Sequence, residues 1–173
     1  DQIAMQATLQ ALQKALPGAN AVALRAGIPT LYGSQASFVD GDRANLPGEV
    51  LSALRAANVT HLILLTKFRA DANMQFVQGG RGSGKIQGLG FYIDRYTRNG
   101  IQGSGVYGVG YLAAFAYFEL TLIDLDAQQA QRKAQVTRSQ VVVRTVDTAG
   151  RDPWDILDAG QKMAALSQLI GVG

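Results

Sequence analysis

At 173 residues the chain has the size of one domain, large enough to bury a core without disulfides or metals. It has no cysteine and a single histidine, His61, which excludes a disulfide scaffold, a cysteine nucleophile, cysteine-based zinc or iron–sulfur sites and any site built from several histidines. Sixteen Lys and Arg against 13 Asp and Glu leave a net charge of +3, which marks a nucleic-acid partner only if the cations gather on one face, and a hydrophobic content of 47% excludes a fully disordered chain.

Residues 2–16 place Met5, Leu9, Leu12 and Leu16 on one face of a helix, which Pro17-Gly18 ends. Residues 20–26 fit a short strand, and a glycine-bearing loop follows from Gly27 to Gly41. Residues 46–57 predict a second helix, with Pro47 in its first turn and Val50, Leu51 and Leu54 as its apolar stripe. Residues 59–69 read as a strand whose middle, Leu62-Ile63-Leu64-Leu65, is apolar on both alternating faces, as in a central strand covered on both sides. No apolar run, this one included, approaches the roughly 20 residues of a membrane-spanning helix. Strand, helix and strand in this order predict a βαβ unit with a parallel pair.

From residue 85 onward the apolar period is two. Residues 85–94 put Leu89, Phe91 and Ile93 on one face. Residues 110–126 form a long strand, with Leu112, Ala114, Ala116, Phe118, Leu120 and Leu122 on one side and Tyr111, Phe115, Tyr117, Glu119 and Thr121 on the other. Ala127-Gln128-Gln129-Ala130 turns the chain. Residues 132–146 return as a polar strand whose apolar phase slips before Val141, so a bulge is expected near Ser139. Asp152 as N-cap, Pro153 as first residue and Asp155 predict a last helix that turns Ile156, Met163, Leu166 and Ile170 inward, with Gly160 weakening it by about 1 kcal/mol relative to Ala. The order describes one α/β (α+β) domain over residues 1–173: a mixed sheet in which a βαβ unit precedes an antiparallel meander with long hairpins, helices packed on it, and a flexible glycine-rich hairpin around 97–108.

Several motifs bear on chemistry. Gly79-Gly80-Arg81-Gly82-Ser83-Gly84-Lys85 has the spacing of a phosphate loop, but Ile86 stands where Mg²⁺ would need Ser or Thr, and a strand pattern follows where a helix should begin. A flexible basic loop is the better reading, and no cofactor is implied. His61 could pair with Ser34 or Ser37, yet the G-x-S-x-G elbow is absent and a structural His at a strand start fits as well. Asp124 and Asp126 share a face as an acid/base or metal pair would, and they also fit the acidic close of a strand before a turn. Asp40 and Asp42 flank Gly41 and are too few for a calcium loop. The unusual stretch is 79–117, where Arg81, Lys85, Tyr92, Arg95, Tyr96, Arg98, Tyr107 and Tyr111 interleave with glycine. Tyr and Arg on such backbone offer large contact area with few rotors, which suits a protein-binding surface. The same mixture suits single-stranded nucleic acid, and alternating aromatic and small residues also occur in membrane hairpins.

The strand Thr60–Lys67, and the long strand that ends in Leu120-Thr121-Leu122-Ile123-Asp124-Leu125-Asp126 before a turn and a polar return strand, resemble the α/β domains of bacterial envelope lipoproteins of the curli-assembly lipoprotein and TolB amino-terminal type. The turn departs from that pattern, with Ala127-Gln128 where those proteins often carry Thr-Gly. The resemblance spans residues 59–146 and implies an exported, non-enzymatic binding or assembly protein. The sequence begins at Asp1, as a processed chain or one trimmed at its start would, and the absence of cysteine is compatible with the periplasm. The expectation is therefore a periplasmic or envelope-associated module. Its contact surface would be the eight named residues of 79–117, and its partner a protein or a second copy, close to a membrane. Neither nucleic acid nor a small-molecule substrate is expected as partner. Two alternatives stay open: a small hydrolase or nucleotide-dependent enzyme using Lys85, His61 or Asp124/Asp126, and a nucleic-acid-binding domain.

Overall fold

The longest alternating run of the sequence becomes the middle of the sheet. In this computed structural model, which describes residues 2–24, 38–76, 79–100, 103, 105–147 and 151–171, strand β8 spans Tyr107–Asp124. It pairs antiparallel with β9 (Gln129–Arg144) along one edge. Its other edge is shared. The first half pairs with β7 (Lys85–Gly100), from Gly100↔Tyr107 to Gly88↔Tyr117, and the second half pairs with β3 (His61–Lys67), from Lys67↔Phe118 to His61↔Asp124. At the changeover Phe68 donates its N–H to the Tyr117 carbonyl at 3.0 Å. There β7 leaves β8, and its first three residues pair with β4 (Arg69–Asp71). The short hairpin β1 (Val39–Asp40) and β2 (Arg43–Ala44) extends the sheet beyond β9. A separate hairpin, β5 (Met74–Phe76) with β6 (Gly79–Arg81), lies on it.

Helix α1 (Gln2–Ala15) and helix α3 (Ala159–Gly171) cover one face. There Ala4 and Leu169 meet Ala114, Ala116 and Phe118, with Leu65, Leu89, Phe91, Leu166 and Ile170 around them. Helix α2 (Gly48–Ala56) and the β1–β2 hairpin cover one end of the opposite face through Leu54, Ala44, Ile123 and Leu125. Met74 and Ala72 cover the other end over Tyr111, Ala113, Phe115 and Tyr117. From Tyr111 to Phe118 every residue of β8 is buried, which places about 1.5–3 kcal/mol of transfer free energy on each large side chain.

The α+β class, the long-hairpin meander and the helices on the sheet are as the sequence predicts. The parallel pair is not. Every strand pair among the described residues is antiparallel, so the sheet is not mixed. Residues 20–24 form no strand, Val22 and Leu24 are exposed, and Arg25 and Ala26 lie outside the described residues. Strand β3 is not central either. Leu62 and Leu64 pack toward α2 and Leu65 toward α3, so both its faces are apolar while among the described residues it pairs only with β8. The bulges of β9 fall at Val142 and Gln131 rather than near Ser139, because β9 carries one extra residue opposite Leu112/Ala113 and another opposite Leu122/Ile123. The last helix begins at Ala159. Asp152 does cap Trp154 N–H, but only for the three-residue turn Pro153–Asp155. Asp158 and Gln161 then form a reciprocal capping box, with Gln161 N–H on Asp158 Oδ1 at 2.8 Å and Asp158 N–H on Gln161 Oε1 at 3.0 Å. Met163 consequently faces out, and Leu169 takes its place in the stripe.

Candidate protein-binding surface

The end of the β7–β8 hairpin is shaped by polar and backbone contacts. Asp94 pairs with Tyr111 and Arg98 with Val109, so three residues of β7 stand opposite the single Gly110. Asp94 closes this wide bulge. Its carboxylate accepts the N–H groups of Tyr96 and Thr97 at 2.8 and 2.6 Å and the Thr97 hydroxyl at 2.9 Å. Partial burial works to raise the Asp94 pKa, and these three donors outweigh it, so the group sits below its ordinary value. Gly110 has φ +96, and a Cβ there would stand 2.6 Å from the Asp94 carbonyl oxygen, so the position requires glycine. At Gly108 a side chain would collide with the Thr145 carbonyl, and this close approach lets the 3₁₀ turn Thr145–Asp147 lie on the hairpin. The Thr145 hydroxyl donates to the carbonyls of Val109 and Gly110, which share the one hydroxyl at 2.6 and 2.9 Å, and buried Asn99 donates to Gly110 at 2.8 Å.

The bulge is tethered from outside. Arg95 forms an ion pair with Asp152, the residue that caps the Pro153–Asp155 turn. The Arg95 side chain is the first cause of a lowered Asp152 pKa, and the Trp154 amide adds to it. Trp154 then meets Phe91 edge-on at 5.8 Å and carries the Lys162 ammonium over its ring at 3.8 Å.

What this scaffold presents is apolar. Tyr96 is 89% exposed and Tyr107 70%, and Val106 and Val109 are exposed beside them. Of the eight residues expected at a contact surface, Arg95, Tyr96, Arg98 and Tyr107 come together at this end. Lys85 lies at the opposite end of β7, ten residues before Arg95 and so roughly 30 Å away along the strand. Tyr92 and Tyr111 belong to the core. Their rings stack at 6.0 Å, Tyr111 is fully buried, and the Tyr92 hydroxyl takes the Ser83 N–H at 2.9 Å. Alternation decides this: Tyr92, Tyr111 and Tyr117 lie on the face that Met74 covers. The Arg81 side chain lies outside the described residues. The glycine-rich loop is also shorter than 97–108, since β7 runs to Gly100 and β8 starts at Tyr107; residues 101, 102 and 104 lie outside the described residues. Val106, Val109 and Trp154 are exposed and were missed, although the string Val106-Tyr107-Gly108-Val109-Gly110 carries three large apolar side chains beside two glycines.

The other candidate residues do not converge. Lys85 stands opposite Asp71, and a strand follows it. His61 is exposed at the far end of β3, with Nδ1 3.0 Å from the Thr60 hydroxyl. Ser34 and Ser37 lie outside the described residues. Asp124 faces His61 across the pair, but its carboxylate accepts the amides of Asp126 and Ala127, both at 2.9 Å, so it closes the turn. Those bonds, the Ala127 amide first, hold its pKa below the ordinary value. Among the described residues no group of three or more His, Asp or Glu gathers as a metal site, and no helix is long and apolar enough to cross a membrane. The chain matches no protein-family model, no curated protein and no solved structure.

Proposed function

We propose that the chain is a non-enzymatic, envelope-associated binding or assembly module whose contact surface is the end of the β7–β8 hairpin. One observation carries this reading: Tyr96 and Tyr107, large and exposed, sit on backbone fixed by Asp94, Gly108, Gly110 and Thr145. Aromatic side chains on a preformed backbone bury area in a complex at small ordering cost. Arg98, exposed on the strand opposite Val109, adds a donor fork at the rim. The envelope placement rests on the pattern of β3, β8 and the polar β9 and on its resemblance to envelope lipoprotein domains. The partner is a protein, another copy of the chain included.

The test is site-specific photo-crosslinking in a bacterial host that exports the chain. A benzoylphenylalanine at position 107 should give one discrete adduct on irradiation, and the same probe at Gln135, exposed on β9, should give none. Absence of an adduct from position 107, or equal adducts from both, would overturn the reading.

A further inference from the structure

On the face of β8 that carries Tyr117 and Ile123, the apolar cover is interrupted. Tyr117 belongs to the cluster under Met74 and Ile123 to the cluster under α2. Between them Glu119 and Thr121 point to the same side, and a cleft of about 200 Å³ opens there. That is below the roughly 300–1,000 Å³ of drug-sized pockets and has room for about six waters.

The floor of this cleft is chemically unbalanced. Thr121 is only 3% exposed, and its hydroxyl has no hydrogen-bond partner among the described residues. The hydroxyl faces the cleft, so its hydrogen-bond partner is whatever molecule the cleft holds, water or ligand. Arg69 and Lys133 line the same cleft. Arg69 has no ion pair among the described residues, and Lys133 uses one of its three donors on the Gly41 carbonyl at 2.9 Å. Glu119 is held by the Gln135 amide on Oε2 at 3.1 Å, which leaves Oε1 to accept.

We propose that this cleft binds a small organic anion, a carboxylate or phosphate that also bears a hydroxyl or amine. Arg69 and Lys133 take the anionic group, Thr121 completes its hydrogen bonds, and Glu119 Oε1 accepts from the ligand's own donor. The site is separate from the hairpin end and stands whether or not that surface binds a partner.

The test is an NMR titration of the chain at physiological salt, with glycerol 3-phosphate for the phosphate class, L-malate for the carboxylate class and sulfate as bare charge. The expected result is saturable shifts at the Thr66, Arg69, Thr121 and Lys133 amides with one hydroxylated probe, at a Kd below about 1 mM, and no saturation with sulfate. Arg69→Gln should weaken that binding about tenfold. Thr121→Val should weaken it several-fold while Tm holds, because the hydroxyl makes no hydrogen bond within the described residues. Equal shifts with sulfate, no saturation with either probe, or a Thr121→Val variant that loses stability and keeps binding would each overturn the proposal.

Discussion

From Tyr111 to Phe118, β8 is buried on both faces, between the helices on one side and the Met74 hairpin on the other. Within the four residues before it on the same strand, Tyr107 is 70% exposed and Val109 51% exposed. The buried stretch is held by side-chain packing, with Tyr111, Phe115 and Tyr117 in one layer and Leu112 and Phe118 in the other. The hairpin end is held by the Asp94 carboxylate, Asn99, the Thr145 hydroxyl and two glycines that allow close backbone approach. One region spends its apolar side chains on stability. The other gets its shape from polar groups and leaves its apolar side chains in water, which is the arrangement expected of a preformed contact surface.

The contrast can be broken at its strong end first. Phe118→Ala should cost about 3–5 kcal/mol in urea denaturation, since it empties the layer between β8 and α3. Leu64→Ala should cost about 1–2 kcal/mol, because β3 lies outside β8 and Leu64 is half-buried; a loss as large as that at Phe118 would mean that β3 shares the central core. Asp94→Asn sharpens the other side. It should destabilise by about 1 kcal/mol at neutral pH through weakened bonds to the bulge amides. Because the folded pKa of Asp94 lies below its ordinary 3.8, its contribution is complete above that value and is lost as pH falls through the folded pKa. The gap between wild type and Asp94→Asn should therefore close in acid denaturation below about pH 4. Smallest of all, the double variant Arg95→Ala, Arg98→Ala should move Tm by no more than about 2 °C, since the Arg95–Asp152 pair is solvent-exposed.

The sequence carried the long strand over 110–126, and the two side-chain sets read from it are the two packed layers of β8. Strand direction was not legible at β3. Apolar residues on both alternating faces report covered faces, and they are silent about how many strands pair at the edges. The start of α3 was misplaced for a related reason: Asp152-Pro153 is a genuine cap, but Asp158 and Gln161 form a reciprocal box six residues later. At the hairpin end, composition located the Tyr/Arg segment, and only pairing register could sort Tyr96 and Tyr107 from Tyr92 and Tyr111. The cleft at Thr121 left no trace in the sequence, since Glu and Thr on a strand face read as ordinary solvated positions.

The most direct test of the central claim removes the exposed aromatics and leaves everything else. In the Tyr96→Ser, Tyr107→Ser variant, Tm should stay within about 2 °C of wild type and hydrogen exchange along Tyr111–Phe118 should keep its protection. A photo-crosslinker at Val109 should give its adduct in the wild-type background and lose it in this variant. If Tm and the β8 protection fall together, or if the adduct persists without the two tyrosines, the hairpin end is a structural element and the binding surface lies elsewhere.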